Sequence, residues 1–168
     1  MSLQIRPEAP TDIAAIETLT VAAFAQAPHS SGTEQFIVNA LRDAGQLSLS
    51  LVAEEAGQIV GHVALSPVSI SSGSCDWYGL GPISVAPAHQ GTGIGSQLMW
   101  AALAGLRELG AEGCVLLGDP AYYSRFGFIV RPGLVLPGVP AEYFQALSFS
   151  GSWPEGDVSY HAAFEATA

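Results

Sequence analysis

Residues 83–100 read ISVAPAHQGTGIGSQLMW, and this stretch decides the fold. A strand-like run comes first, three glycines follow at every second position, and a helix-like run starts directly after them. Glycine at the start of a helix costs conformational entropy, so such a loop is typical of places where a ligand or another backbone comes close. The stretch therefore predicts a strand, a loop and a helix. An anion, or tight packing of the helix on the sheet, would explain the glycines.

The runs on either side of the loop predict a strand–helix–strand unit. The helix is expected to run to about Leu109, and the run GCVLLGDP after it has the pattern of a short buried strand. A strand, a crossover helix and a second strand form a parallel pair. The first strand, YGLGPISVAP, contains Pro82, which has no N–H for a sheet ladder. We therefore expect a bulge or an unpaired edge at Pro82.

The rest of the chain supplies the other elements of the sheet. Two β-rich runs flank the turn EEAGQ and predict an antiparallel meander ahead of the loop. Two N-terminal helices are predicted, with Thr11 capping the first and Ser31 or Thr33 capping the second. A short helix is predicted in PAEYFQAL and a closing strand in DVSYHAAF. We expect one domain over residues 1–168, of the α/β class. Its central mixed sheet has about seven strands, an antiparallel N-terminal meander and then a parallel βαβ unit, with helices on both faces.

Composition narrows the classes of partner. The chain has 168 residues, of which 49% are hydrophobic, and this is enough for a substantial core. The formal net charge is −10 and there is no lysine, so no basic patch for nucleic acid or an acidic membrane can be assembled. The N-terminus has no signal-like apolar segment, and no apolar run could span a bilayer. With two cysteines and no metal-ligand cluster, we expect a cytoplasmic protein without a metal.

Three phosphate-binding patterns compete for the glycine loop. The P-loop requires a lysine, which this chain lacks. The dinucleotide fingerprint has the spacing G-x-G-x-x-G, whereas the glycines here follow G-x-G-x-G. The third pattern, Q-x-x-G-x-G, is satisfied by Gln90, Gly93 and Gly95. Backbone N–H groups at the start of a helix can hold a pyrophosphate without a cationic side chain.

With this pattern the sequence resembles the GNAT family of acyl-CoA-dependent N-acetyltransferases. Three further stretches support the resemblance: ISVAP ahead of the loop, VLLGDP after the helix, and YYSRFGF, which fits the signature Y-x-x-x-G-F at Tyr123, Gly127 and Phe128. The resemblance spans roughly residues 5–131. It is strongest to the bacterial YhbS-like branch, which has a similar GDPAYY turn and a closing YHxAF run.

The resemblance implies a GNAT-like fold that binds acetyl-CoA as co-substrate. The residues it places against the cofactor are Ile83, Val85, Gln90, Gly91, Thr92, Gly93, Ile94, Gly95 and Ser96. Thr92 stands where many relatives carry Lys or Arg. Phosphate binding would then depend on backbone N–H groups, with Arg125 as a candidate cation.

The resemblance also assigns chemical roles. The backbone N–H of Ile83 would polarise the thioester carbonyl in a slot between splayed strands, and Tyr123 would be the general acid. Tyr122 is expected to pack. The general base stays open, and the candidates are Asp119, Glu34, His29, His62, His89, His161 and a chain of water molecules. Asp119 before a proline is also typical of a turn, His62 of a core residue and His89 of a packing or capping residue. Cys75 and Cys114 are not expected to act as nucleophiles.

The predicted function is transfer of an acetyl group from acetyl-CoA to a primary amine, by direct attack in a ternary complex. The acceptor would be a small-molecule amine or a protein amino group. We expect no nucleic-acid or membrane partner, a monomer or a homodimer, and a bacterial cytoplasmic protein. The alternative is a non-catalytic module that binds or senses acyl-CoA.

Overall fold

The computed structural model describes residues 2–25, 27 and 30–168. The strands in these residues are β1 (Leu3–Pro7), β2 (Leu49–Glu55), β3 (Gln58–Ile70), β4 (Trp77–Val85), β5 (Gly113–Leu117), β6 (Leu134–Val135), β7 (Phe144–Ser148) and β8 (Gly156–Tyr160). The α-helices are α1 (Ile13–Phe24), α2 (Glu34–Asp43), α3 (Ile94–Glu108) and the single turn α4 (Pro120–Tyr123). Within these residues, no helix combines the length and apolarity needed to cross a bilayer.

The strands form one mixed sheet in the order β1-β2-β3-β4-β5-β7. Neighbours from β1 to β4 are antiparallel, β4 and β5 are parallel, and β5 and β7 are antiparallel. β8 pairs with the end of β3 and with β6. The prediction of a mixed sheet with one parallel βαβ crossover is therefore confirmed. The described residues contain eight strands where about seven were expected. The two-residue β6 was not anticipated, and β7 forms where a short helix was predicted.

Helices cover both faces of the sheet. α3 lies on one face, where Leu98, Met99 and Leu103 are completely buried. Gly61 of β3 lets α3 come close, because a Cβ there would lie 2.9 Å from side-chain atoms of Ile94 and Leu98. α1 and α2 cover the other face, where a second apolar cluster forms. The glycine loop is thus held between a central strand and a firmly packed helix.

β4 contains the predicted bulge. Leu80 pairs with Leu65 and Ile83 pairs with Val63, so Gly81 and Pro82 together lie opposite the single residue Ala64. The Gly81–Pro82 peptide bond is cis. The bulge separates the first half of β4, which contacts β5, from the second half, which leads into the glycine loop.

The predicted helix caps were wrong in detail. Thr11 lies inside a 3-10 turn, Pro10–Asp12, and the Asp12 carboxylate accepts the Ala9 N–H at 2.7 Å. Arg6 also donates to that carboxylate, at 2.7 Å. Thr33 occupies the N-cap position of α2, but its side chain makes no capping hydrogen bond. Asp12 occupies the N-cap position of α1 without a side-chain capping bond, because its carboxylate is engaged by the Ala9 N–H and by Arg6 of β1.

The last forty residues also differ from the prediction. In PAEYFQAL only Ala141–Tyr143 is helical, as one 3-10 turn, and the residues that follow form β7. Phe144 and Ala146 bury their side chains against the sheet, and this packing outweighs the local helical preference. In DVSYHAAF the strand ends at Tyr160, and a second 3-10 turn, Ala162–Glu165, follows.

Gly113→Ala tests how the parallel pair begins. A Cβ at Gly113 would lie 2.3 Å from the Trp77 ring of the paired strand, and this buried ring has no room to move. We expect the free energy of unfolding to fall by about 2 kcal/mol in urea denaturation. Gly105→Ala in α3 is the control. Its Cβ meets only the flexible end of Leu49, at 2.8 Å, and the helix gains about 1 kcal/mol. Equal stability of the two variants would contradict this account.

Candidate active site

The candidate site is a slot between β4 and β5. The two strands pair only at Trp77–Gly113, Tyr78–Cys114 and Gly79–Val115, and the ladder stops there. β5 continues to Leu117 paired with β7, and β4 continues to Val85 paired with β3. Both strands therefore keep one firm neighbour while the gap between them opens toward their C-terminal ends. Such a slot between splayed strands is what the family resemblance implied.

The second half of β4 directs backbone N–H groups into the slot. The Ala86 N–H donates to the Val60 carbonyl at 2.8 Å, so Ala86 points toward β3. Successive residues of a strand point alternately to its two neighbours. The N–H groups of Ile83 and Val85 therefore point away from β3 and into the slot. An extended chain lying in the slot could pair with them as an added strand does.

Gln90 fixes the end of this strand. Its side-chain amide donates to the Val85 carbonyl at 3.1 Å. The carbonyl of Val85 is therefore already bonded, and its N–H is the group directed at a ligand. Gln90 has a positioning role that the sequence pattern alone does not reveal.

The glycine loop leads directly into the first turn of α3. Gly91 and Gly93 have positive φ values of 77° and 89°. Residues other than glycine rarely adopt this backbone region. Gly93 is the N-cap of α3, and the N–H groups of Ile94, Gly95 and Ser96 follow in the first turn. First-turn N–H groups have no intrahelical acceptor and carry the positive end of the helix dipole. Thr92 donates its hydroxyl to the His89 carbonyl, so only its backbone faces outward as a donor.

Tyr122 links the glycine loop to Arg125. Among the described residues, Arg125 is the one cation joined to the loop through side-chain contacts. Its hydroxyl lies 3.3 Å from the Ser96 hydroxyl. The Arg125 guanidinium lies over its ring at 4.5 Å from the centroid, and Arg125 Nε donates to the Tyr122 carbonyl at 3.0 Å. The sequence analysis expected Tyr122 only to pack. The one sequence feature that pointed to its contacts with Ser96 and Arg125 is its position next to the Y-x-x-x-G-F signature.

Tyr123 forms part of the wall at the end of β5. Its ring lies against Gly118, where a Cβ would be 2.3 Å from the ring, and it packs edge-on against Tyr122. Phe128 borders the same ring from the core. Burial raises the pKa of the Tyr123 hydroxyl, and the negative potential of Tyr122 and Asp119 raises it further. The hydroxyl therefore keeps its proton well above neutral pH.

Two of the candidate bases have structural roles. Asp119 accepts the Ala121 N–H at 2.9 Å, so it caps the turn α4. His161 Nδ1 accepts the Ala163 N–H at 3.0 Å and caps a 3-10 turn. Both side chains thus use a ring or carboxylate lone pair to hold the backbone.

Of the other candidate bases, those in the described residues contact polar or charged side chains and not the backbone. Glu34 accepts the Ser30 hydroxyl at 2.8 Å, and His29 lies outside the described residues. His89 Nε2 is 3.9 Å from the Glu55 carboxylate, on the partly exposed side of the loop. His62 is completely buried in β3 and bonded to Ser50 at 2.8 Å.

The cysteines offer no alternative chemistry at this site. Cys114 is completely buried, and burial alone raises the pKa of its thiol. Cys75 is exposed in the turn before β4. Over residues 2–25, 27 and 30–168, no three His, Cys, Asp or Glu side chains are grouped so that they could hold a metal ion.

Comparison with known proteins agrees with the family resemblance. The sequence profile of the acetyltransferase (GNAT) domain matches residues 46–130, which span β2 to the Y-x-x-x-G-F signature. The N-acetyltransferase YhbS of Escherichia coli K12 is 41% identical over 125 residues, or 74% of this chain and 72% of that protein.

Solved structures agree over the whole fold. A GNAT family acetyltransferase from Brucella melitensis, in complex with acetyl-CoA, superposes with a TM-score of 0.87 at 52% identity, covering 97% of this chain and 98% of that one. E. coli YhbS in complex with CoA gives a TM-score of 0.87 at 35% identity, covering 99% and 93%. The slot, the glycine loop, the matched profile and these relatives agree: the chain belongs to the GNAT family of N-acetyltransferases.

Proposed function

We propose that the protein, as one domain over residues 1–168, transfers an acetyl group from acetyl-CoA to a primary amine in a ternary complex. The observation that carries the proposal is the early end of the β4–β5 ladder beside the N-terminus of α3. The slot offers the N–H groups of Ile83 and Val85, and the glycine loop with the helix start offers a second set from residues 91–96. The complexes of the Brucella relative with acetyl-CoA and of YhbS with CoA support this choice of donor.

The residues present fit such a donor along its length. Its pyrophosphate would be held by the N–H groups of Gly91, Gly93, Gly95 and their neighbours Thr92, Ile94 and Ser96. Its pantetheine arm would pair with the N–H groups of Ile83 and Val85, and Gln90 would hold that strand in place. Acetyl-CoA supplies the acetyl group as a thioester, which an amine can attack directly.

Two groups of this chain would assist the transfer. The Ile83 N–H would donate to the carbonyl oxygen as negative charge develops there, and one such donor is worth about 3 kcal/mol in studied enzymes. Tyr123 would give its proton to the departing sulfur. Because burial raises the Tyr123 pKa, the acid stays protonated across the pH range in which amines begin to lose their proton.

The acceptor is a small-molecule amine or a protein amino group. The acidic surface, with 15 carboxylate side chains against five arginines, weakly favours a cationic molecule, and salt screens this attraction at long range. An amine is cationic in solution and must lose a proton before it attacks.

The proposed function is tested by thiol release with acetyl-CoA. A panel of primary amines and of peptides with free amino groups serves as acceptors, and free CoA is detected colorimetrically. Binding is followed separately as the rise in Tm with acetyl-CoA, with ATP and NAD as controls. Release of CoA with at least one amine is expected. Binding without release across the panel would favour a non-catalytic acyl-CoA module, and stabilisation by NAD alone would refute the assignment of the site.

Tyr123→Phe tests the general acid. The ring still packs on Gly118, so CoA affinity is expected to change less than twofold, while kcat falls by about 10²-fold. Tyr122→Phe is the matched control. It loses the contact with Ser96, so it should weaken CoA binding more than it lowers kcat. Steady-state kinetics and CoA titrations measure both effects. Equal turnover of Tyr123→Phe and the unmodified protein would remove Tyr123 as the acid.

Arg125→Gln tests the source of positive charge at the phosphate end. The guanidinium is held over Tyr122, which reaches Ser96 in the first turn of α3. Loss of a charge-assisted contact at an exposed position is expected to weaken CoA binding by about tenfold. Dephospho-CoA, which lacks the 3′-phosphate, distinguishes which phosphate Arg125 contacts.

Arg107→Gln is the control for Arg125→Gln. Arg107 stacks on Phe149 at 4.6 Å, in the last turn of α3, so the change removes the same charge and the same kind of contact at the opposite end of the helix. Isothermal titration should show little change in CoA affinity. An equal loss in both variants would mean that Arg125 acts only through net charge.

A further inference from the structure

Three buried polar side chains surround the bulge on the face of the sheet opposite α3. His62, Ser66 and Ser84 are between 0% and 2% exposed. His62 lies directly opposite Ser84 in the β3–β4 ladder, and Ser66 pairs with Gly79 on the other side of the bulge. We call these three residues the bulge cluster. Among the described residues, His62 Nδ1, Ser66 Oγ and Ser84 Oγ have no hydrogen-bond partner.

Hydrogen bonding fixes the tautomer of His62. Ser50 donates its single hydroxyl proton to the Glu8 carboxylate. The 2.8 Å contact between Ser50 Oγ and His62 Nε2 must then be a donation from the imidazole. Nε2 therefore carries the proton, and Nδ1 is left with a buried lone pair that has no hydrogen-bond partner. Burial lowers the pKa of His62 to about 4, so the ring is neutral at pH 7.

The other end of this chain reaches the surface. Glu8 accepts two hydrogen bonds from Arg42, at 2.8 and 2.9 Å, and both side chains line an open groove of about 340 Å³ together with Ser50. Burial raises the pKa of the Glu8 carboxyl, but the hydrogen bonds from Arg42 and Ser50 outweigh it, so its pKa lies below the ordinary value. The charges that act on His62 are those of Glu8, which follows β1, and of Arg42 in α2.

The unpartnered Nδ1 of His62 is an energetic cost inside the core. A buried polar atom without a partner costs about 1–3 kcal/mol, and ordered water commonly satisfies such atoms. Ser84 lies between Ile83 and Val85, whose N–H groups point into the slot. The Ser84 backbone therefore belongs to the strand segment that borders the slot, while its side chain lies in the buried layer beneath that segment.

We propose that Glu8, Ser50 and His62 form a relay that takes the proton of the acceptor amine from the slot to the surface groove. The proposal rests on the proposed function. The ammonium N–H bond breaks, its electron pair stays on nitrogen for the attack, and the proton passes through Ser84 or water to His62 Nδ1. His62 gives its Nε2 proton to Ser50, Ser50 gives its hydroxyl proton to Glu8, and Glu8 releases a proton to solvent.

The tautomer is tested without any acceptor. Nitrogen-15 NMR of the full-length protein at pH 7, assigned with His62→Gln, should show His62 with Nε2 protonated and Nδ1 bare. Ser50→Ala removes the group that selects this tautomer, so the signals should shift toward a tautomer mixture. A protonated Nδ1 in the unmodified protein would overturn the relay.

The transfer is tested by the pH dependence of kcat, using the best amine from the thiol-release panel. In Glu8→Gln, Ser50→Ala and His62→Gln, kcat at pH 7 should fall by roughly 10- to 100-fold. In the pH profile of kcat for each variant, the acidic limb should move to higher pH, toward the amine's own pKa of about 10. Near that pH the kcat values of all variants should converge with that of the unmodified protein, because an amine that is already neutral needs no relay. The KM for acetyl-CoA should stay constant.

Glu54→Gln is the matched control. Glu54 pairs with Arg6 at 3.2 Å on the same sheet, without contact to the chain from Glu8 to His62, so its profile should match that of the unmodified protein. A purely structural role for the relay residues would lower kcat by the same factor at every pH, and that result would overturn the proposal. Absence of turnover in the unmodified protein would defeat the proposed function and the relay together, whereas turnover with unshifted profiles would defeat the relay alone.

Discussion

The parallel ladder between β4 and β5 ends after three residue pairs, and the site depends on this early end. A buried backbone N–H without an acceptor is costly, so strands normally stay paired to their ends. Here β3 holds β4 as far as Val85, and β7 holds β5 as far as Leu117. The two strands can therefore separate without fraying. The donors of Ile83 and Val85 are fixed in direction before any ligand arrives, so little reorganisation is needed to use them.

The features that the sequence predicted well are those that depend on residues close together along the chain. Pro82 cannot complete a ladder, and it lies at the observed bulge. The alternating glycines precede a helix as predicted, and Gly93 is the N-cap of α3 at a φ of 89°. The strand after α3 is apolar and short, and its parallel pairing follows from the crossover rule. For these elements the local backbone preferences and the pattern of buried residues both favour the structure that is observed.

The features that the sequence did not predict depend on partners far away in the chain. His62 in an apolar strand looks like any core histidine, because Ser50 is 12 positions away and Glu8 lies 42 positions before Ser50. The turn at Ala141–Tyr143 stays short because Phe144 finds a sheet to pack on. In each case a tertiary contact outweighs a weaker local preference.

The distribution of charge is compatible with the proposal that the glycine loop binds an anion without a cation of its own. Arg6 and Arg42 are engaged with carboxylates, whereas Arg107, Arg125 and Arg131 lie over aromatic rings. A stacked guanidinium can keep in-plane N–H groups for an anion, which in Arg125 are those other than the Nε–H bonded to the Tyr122 carbonyl, while a paired one does not. At distances beyond about 8 Å the net charge of −10 is largely screened at physiological salt, so it cannot prevent binding. At contact distance there is little salt between the groups, so oriented N–H groups at the start of a helix remain effective. A chain with few cations can therefore bind a polyanion where the backbone itself provides the donors.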